Sequence, residues 1–309
     1  MSFSVFILGS NSSLPAFGRH HSSQYFQSGN SHFLIDCGEG TQYQLLKYKL
    51  SHSRISAVFI SHLHGDHYLG LMGLLFSMHL TGRDKPLTIF GPTGLSDIIT
   101  THLRHSGSVL CFDLDFIETS PKGKDLIHET NEVRVFSFPL THRIPCTGFL
   151  FVGQQKSRKI IKDRIPENFL IPWFENLKAG EDIKDENGNI LYRCSELTLP
   201  PEKPKSYAYC SDTGLVPGLE EILFEVDLLY HETTFLKDSE EWARKTFHST
   251  THDAARLAKQ SKVNQLLIGH FSARYKDVDL FTEECRQLFP NTLPAMEGEQ
   301  FSPEHHENS

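Results

Sequence analysis

Short apolar runs punctuate this chain, separated by longer stretches in which apolar residues return every three or four positions. The runs at 3–8, 33–37, 57–60, 87–90, 133–140, 148–152, 206–210, 227–231 and 265–269 read as strands. Helical spacing covers 40–50, 68–80, 95–103, 218–224, 250–260 and 278–288. Thr250 or Thr251 is placed to cap the helix that carries Ala254, Ala255, Leu257 and Ala258. Strands and helices interleaved in this order predict layered α/β packing, not a helical bundle or an all-β sandwich.

One stretch breaks the rhythm. From about 153 to 205 the chain is charged and rich in turn residues, with Asn187-Gly188 as a hairpin turn and Pro200-Pro201-Glu202-Lys203-Pro204 as a stiff return. It reads as an insertion protruding from a single domain that spans 1–309, and 302–309 reads as a polar tail. No apolar run approaches the roughly 20 residues needed to cross a bilayer, so no membrane partner is expected. The opening residues, Met1 to Gly9, read as a first strand and not as a signal peptide.

Composition adds a size and a compartment. With 309 residues, 39% hydrophobic and 23 Phe, the chain can bury a large core. Cys37, Cys111, Cys146, Cys194, Cys210 and Cys285 show no Cys-x-x-Cys spacing, which fits free thiols in a reducing compartment and predicts a cytoplasmic protein. The net charge of −8 by itself argues against a polyanionic partner. Locally the balance reverses, because Lys156, Arg158, Lys159, Lys162 and Arg164 cluster with only Asp163 among them. Taken alone, that run reads as a solvated face.

The sharpest chemical signal is Ser61-His62-Leu63-His64-Gly65-Asp66-His67, which directly follows the strand at 57–60. Imidazole and carboxylate suit zinc and other borderline metals. His62, His64, Asp66 and His67 crowd more donors into one loop than a single structural site uses. The spacing suits two metals, with His62 and His64 on one and Asp66 and His67 on the other. Three further candidates each follow a strand-like run: His142 after 133–140, Asp212 after 206–210 and His270 after 265–269. All could converge on one sheet edge.

These residues resemble the metallo-β-lactamase superfamily, whose H-x-H-x-D-H signature is met by His62, His64, Asp66 and His67. Within it the chain is similar to the ribonuclease Z family, which matures transfer RNA 3′ ends. Ile35-Asp36-Cys37-Gly38-Glu39-Gly40-Thr41-Gln42 resembles that family's DCGEGTQ block. Thr141-His142-Arg143-Ile144-Pro145, Ser211-Asp212-Thr213, His231-Glu232-Thr233-Thr234-Phe235, Phe247-His248-Ser249-Thr250 and His270-Phe271-Ser272-Ala273-Arg274-Tyr275 resemble its later motifs. Two places depart from the pattern. The family's P-x-K-x-R-N loop keeps Pro15 and Arg19 but not the lysine or asparagine, and Ile171-Pro172-Trp173-Phe174 stands where a Gly-Pro arm is expected.

The resemblance implies an αββα sandwich of two mixed sheets flanked by helices. It implies two zinc ions per subunit, one on His62, His64 and His142, the other on Asp66, His67 and His270, with Asp212 bridging. Manganese or iron would suit the same donors. Two such metals lower the pKa of water and clamp both oxygens of an in-line phosphoryl displacement. The resemblance further implies that Asp66 orients the attacking water or takes its proton, and that His248, oriented by Glu232, protonates the leaving 3′-oxygen. It implies a precursor transfer RNA substrate, a homodimer, and RNA contacts from Arg19, Lys156, Arg158, Lys159, Lys162 and Arg164. Two other functions share the same ligands: a metal-dependent phosphodiesterase with a different substrate, and a metal-bound RNA-binding protein without turnover.

Overall fold

Each of the apolar runs lies in one of two sheets, where both faces are largely covered and strict alternation is not needed. The computed structural model describes residues 2–303; of the expected polar tail, 304–309 lie outside the described residues. The chain forms two compact units, Met1–Gly153 with Lys205–Ser309, and Gln154–Pro204.

In the larger unit the chain runs through β1 (Phe3–Gly9), β2 (Ser23–Ser28), β3 (Ser31–Cys37), β4 (Ala57–Phe59), β5 (Leu87–Gly91), β6 (Leu114–Glu118), β7 (Asp125–Glu129), β8 (Val133–Leu140) and β9 (Cys146–Gly153). The smaller unit carries β10 (Lys159–Ile160), β11 (Ile183–Lys184), β12 (Ile190–Tyr192) and β13 (Thr198–Leu199). The larger unit then resumes with β14 (Ser206–Cys210), β15 (Leu228–Glu232), β16 (Gln265–Gly269), β17 (Thr292–Pro294) and β18 (Gln300–Phe301).

The larger unit builds two seven-stranded mixed sheets, ordered β18-β1-β2-β3-β4-β5-β6 and β17-β16-β15-β14-β9-β8-β7. Phe26, Phe33, Phe59 and Phe90 of the first sheet face Phe149, Phe151, Tyr207, Tyr209 and Tyr230 of the second. The rings interlock, with Phe26 stacked on Phe151 at 4.5 Å and Phe59 on Phe90 at 4.7 Å between centroids. Burying one such ring stabilises the fold by about 1.5–3 kcal/mol, so this layer explains the high Phe count. Helices Thr41–Lys47, Gly70–Leu80 and Leu95–His105 cover the outer face of the first sheet through Leu45, Leu71, Leu74, Leu75, Met78 and Ile99. Helices Thr251–Gln260 and Asp279–Arg286 cover the second through Ala254, Ala255, Ala258 and Phe281. The layers are therefore helix, sheet, sheet, helix.

Strand direction decides where the functional loops emerge. β3, β4, β5 and β6 are parallel, as are β14, β15, β16 and β17. β9 is antiparallel to both β8 and β14, so β8 ends at the same edge as β14. Chain leaving β4, β8, β14, β15 and β16 thus emerges at carboxyl ends, where open α/β sheets place their ligands. A close approach locks one of these loops in place. A Cβ on Gly70 would stand 2.1 Å from the Gly38 carbonyl oxygen, and one on Gly38 would stand 2.5 Å from that of Asp66. Only glycine lets the Asp66 turn sit this near the end of β3.

The smaller unit has its own core of Leu177, Ile183, Cys194 and Leu197, joined by Ile165, Phe169, Trp173 and Tyr192. The expected turn at Asn187-Gly188 joins β11 to β12, with Gly188 at φ +85° and Asp185 Oδ1 accepting the amides of Asn187 and Asn189. Several elements were not legible in the sequence. β2 reads Ser-Gln-Tyr-Phe-Gln-Ser and looks polar, yet it is flanked by β1 and β3 and largely buried. Strands β6 and β7 and the helix Glu240–Thr246 also lacked a clear periodic signal.

Candidate metal centre

Ser61 and His62 leave β4 while fully buried, His64 is extended at the N-cap of the short helix Gly65–Tyr68, and Asp66 and His67 fill its first turn. His142 follows β8, Asp212 follows β14 and His270 follows β16. All seven converge, as two groups that share Asp212: His62, His64, His142 and Asp212, then Asp66, His67, Asp212 and His270.

In the first group His64 Nδ1 lies 3.1 Å from His62 Nε2 and 3.0 Å from His142 Nε2. Asp212 Oδ2 stands 3.5 Å from His62 Nε2 and 3.9 Å from His142 Nε2. In the second group Asp66 Oδ2 is 3.3 Å from both His67 Nε2 and His270 Nε2. Asp212 Oδ1 closes that set at 3.3 Å from His67 and 3.1 Å from His270. One carboxylate therefore turns one oxygen to each group.

The surrounding hydrogen bonds say which nitrogen is bare. His62 Nδ1 meets Ser61 Oγ at 3.0 Å, His67 Nδ1 meets Asp36 Oδ2 at 2.8 Å, His142 Nδ1 meets the Phe247 carbonyl at 2.9 Å and His270 Nδ1 meets Thr234 Oγ1 at 2.8 Å. Ser61 and Thr234 direct their own hydroxyl protons to carboxylates, Asp36 and Glu232. In all four histidines Nδ1–H is the donor and the Nε2 lone pair points inward, the tautomer that outer partners impose on metal ligands. Bare Nε2 atoms then face the Asp212 oxygens, His62 at 3.5 Å and His67 at 3.3 Å, and acceptors this close repel unless a cation lies among them. Consistently, His67 Nε2 and Asp212 Oδ1 are buried without a hydrogen-bond partner. The donor set fits divalent metal.

The electrostatics agree. Burial, reinforced by His67, pushes His62 down to about 4. Burial acts the same way on His67, yet Asp212, Asp66 and Asp36 outweigh it and raise His67 well above the ordinary imidazole value. Burial would lift Asp66 and Asp212, but His67 and His270 hold both far below the carboxylate range. The carboxylates thus demand positive charge at this point.

Asp36, which the sequence showed only as part of a motif, was given no role at the site. It is fully buried at φ +53°, and its Oδ1 accepts the Ser61 amide at 2.8 Å. Its Oδ2 accepts His67 Nδ1 at 2.8 Å, Tyr209 OH at 2.6 Å and Ser61 Oγ at 2.9 Å. The available signal was a lone aspartate at the end of an otherwise apolar strand.

Beside the cluster, Glu232 ends β15 and is fully buried. Its Oε1 accepts the amides of Thr213 and Ser249 and stands 3.0 Å from His248 Nδ1; its Oε2 accepts the amide and hydroxyl of Thr234. His248 Nε2 points at Asp212 Oδ2, 4.0 Å away. Burial lowers His248, but Glu232 and Asp212 outweigh it and raise it to about 9. A cleft of about 650 Å³ exposes His64, Asp66, His142, Asp212, His248 and His270. His270 and Phe247 both adopt positive φ, +60° and +57°, a costly conformation held in place by the surrounding bonds.

The other expected contacts are more dispersed. Arg19 donates to Asn11 Oδ1 at 2.8 Å, to the Tyr275 carbonyl at 2.8 Å and to that of Lys276 at 3.2 Å, which ties the loop after β1 to the one after His270. In the smaller unit Arg158 donates to Thr198 Oγ1 and Arg164 to the Glu196 carbonyl, while Lys156 pairs with exposed Glu202. Lys159 and Lys162 are both exposed.

Comparison with known proteins matches this picture. Residues 3–155 match the family described as Anti-Pycsar protein Apyc1. The chain is 44% identical to ribonuclease Z of Cytophaga hutchinsonii, over 97% of this chain and 96% of that protein. It is 41% identical to ribonuclease Z of Bacteroides fragilis, over 96% and 97% respectively. Among solved structures, human tRNase Z, short form, superposes with a TM-score of 0.70 at 26% identity, covering 97% of this chain and 99% of that one. The metallo-β-lactamase fold protein YhfI from Bacillus subtilis superposes with a TM-score of 0.69 at 17% identity, over 97% and 98%, a likeness of fold alone. With relatives this similar along nearly its whole length, the chain belongs to the ribonuclease Z family.

Proposed function

We propose that this protein is a metal-dependent endoribonuclease that removes the 3′ trailer from precursor transfer RNA. The observation that carries the reading is the pair of ligand groups sharing Asp212, set beside the Glu232–His248 pair. Similarity to ribonuclease Z proteins supports the substrate. His62, His64 and His142 with Asp212 Oδ2 would hold one zinc ion, and Asp66, His67 and His270 with Asp212 Oδ1 a second; manganese or iron suits the same donors. When bound, such cations supply Lewis acidity and a lowered pKa for water.

The chain's own groups do the rest. Asp66 faces the cleft, where it would orient the attacking water or take its proton as that oxygen bonds to phosphorus. The bond from phosphorus to the 3′-oxygen breaks on the opposite side. His248, kept charged by Glu232, gives its Nε2 proton to that oxygen. The products are a transfer RNA with a 3′-hydroxyl and a trailer with a 5′-phosphate.

Lys156, Arg158, Lys159, Lys162 and Arg164 would attract RNA phosphates through the smaller unit, and Arg19 would shape the cleft's edge. We read the protein as a cytoplasmic homodimer. Exposed Tyr43, Leu46, Leu69 and Leu80, on or beside the helices Thr41–Lys47 and Gly70–Leu80, give a second copy apolar surface to cover.

The deciding experiment incubates zinc-loaded protein with a precursor transfer RNA carrying a 3′ extension and maps the cut. A single cut at the trailer junction is expected. Hydrolysis of bis(p-nitrophenyl) phosphate with an intact precursor would replace this reading with a phosphodiesterase of other substrates.

A further inference from the structure

One wall of the cleft serves neither metal ligation nor proton transfer. Trp242, on the helix Glu240–Thr246, lines it together with Arg143 and Arg274. The Arg274 guanidinium carbon stands 5.1 Å from the centroid of Trp242 and 5.7 Å from that of Phe235, and Lys245 Nζ stands 5.1 Å from Trp242. Among the described residues the side chains of Arg274 and Lys245 make no hydrogen bond or ion pair, and Arg143 makes one long bond, 3.5 Å, to the Lys245 carbonyl. All three cations are exposed. Arg244 on the same helix is the contrast, because Asp253 and Glu240 neutralise it.

The manner of holding matters. A carboxylate partner would orient a guanidinium by occupying its N–H groups. An aromatic face orients it through the ring quadrupole and leaves every N–H free. Arg143 and Arg274 on the cleft wall, with Lys245 beside them against Trp242, in a chain of net charge −8, match an anion that enters from solvent. The wall lies in the same cleft as the metal centre.

We propose that Trp242 is a positioning residue that holds Arg274 where it binds a backbone phosphate adjoining the one that is cut. The inference rests on the RNA-cleaving reading above and adds a second phosphate subsite to it. It makes recognition at this wall independent of base identity, since only a phosphodiester oxygen is contacted.

The test compares wild-type protein, W242A, W242F and R274A, all zinc-loaded, on a precursor transfer RNA and on bis(p-nitrophenyl) phosphate, which has no adjoining phosphate. For W242A and R274A the ratio of kcat/KM on RNA to kcat/KM on the small diester falls about tenfold, mainly through KM. The dependence of log kcat/KM on log salt becomes shallower by about 0.7, the loss of one single-strand phosphate contact. W242F restores most of both, and the double variant W242A/R274A falls no further than R274A. An unchanged ratio and salt slope in W242A overturns the proposal, as does an equal loss on both substrates, which marks a merely structural tryptophan. Failure of the wild-type protein to cut the precursor sinks the RNA reading itself and is seen before any variant is made.

Discussion

His67 donates its Nδ1 proton to Asp36 Oδ2 across 2.8 Å, between two side chains that are both fully buried. This bond fixes which nitrogen of His67 faces Asp66 and Asp212. It also joins the end of β3 to the loop after β4. Asp36→Asn keeps the size and tolerates the positive φ of this position. However its amide turns, an NH2 then meets a donor, because all four partners of Asp36 donate. Metal affinity should fall about 10–100-fold, the usual effect of losing an outer partner. Competition with a chelator of known affinity measures it, and an unchanged affinity would remove Asp36 from the site.

The Glu232–His248 pair predicts a pH profile. In the proposed mechanism His248 donates a proton, so activity should be full below its pKa and decline as pH rises through it. Glu232 and Asp212 raise that value to about 9 against the opposing effect of burial. A metal on Asp212 would weaken one of these fields, so the alkaline limb of kcat should lie below about 9. Glu232→Gln withdraws the larger contribution and should move the limb at least about one unit toward acid. A limb that stays in place assigns the proton to another group.

Chemistry and binding should separate at two other positions. His248→Ala should slow trailer removal by about 10²–10⁴ while changing RNA affinity only a few-fold. The loss should be smaller on bis(p-nitrophenyl) phosphate, whose leaving group needs little protonation. Asp66→Ala should abolish cleavage and weaken the second metal. Parallel loss of RNA binding in filter or anisotropy assays would count against both roles.

Metal should also stabilise the fold. The two ligand groups predict two divalent ions per chain by elemental analysis. Chelation should lower Tm, and added zinc should raise it in a concentration-dependent way. Asp212→Ala, which opens both groups, should reduce the bound metal to one ion or none. A chain that saturates at a single ion would contradict the shared carboxylate.

The start of helix Thr251–Gln260 offers a stability test away from the metals. Thr250 and Asp253 form a reciprocal capping box, and Asp253 also takes two bonds from Arg244, at 2.8 and 2.9 Å. Thr250→Ala should cost about 1 kcal/mol in chemical denaturation. Burial would raise Asp253, but Arg244 and Thr250 overcome it and hold it below the ordinary carboxylate value. Its contribution is therefore present above about pH 4 and lost as pH falls through the lower folded value. Asp253→Asn should flatten that part of the acid-unfolding curve.

Much of this was legible before any coordinates. The strand runs of the sequence fall within one or two residues of β1, β3, β4, β5, β8, β9, β14, β15 and β16. Such runs announce themselves because a strand covered on both faces is predominantly apolar. β2, β6 and β7 do not, since β2 mixes serine and glutamine into a buried strand and the other two lie partly exposed at sheet edges. The candidate metal ligands stood out because histidine and aspartate immediately after buried strands have few structural reasons to recur. The partners that orient them did not. Asp36, Thr234 and Ser61 carry ordinary side chains whose meaning depends on what stands within 3 Å.

Local composition and order were enough to assign the layered class, the candidate donors and the loops that carry them, because strand period and donor chemistry are properties of short segments. Folding alone settled how Asp212 divides its oxygens between two ligand groups, which imidazole nitrogen each histidine presents, and that Trp242 and Phe235 flank Arg274. Those relations join residues far apart in the chain. They depend on strand direction and close packing, which bring distant side chains to hydrogen-bonding distance and which no single segment encodes.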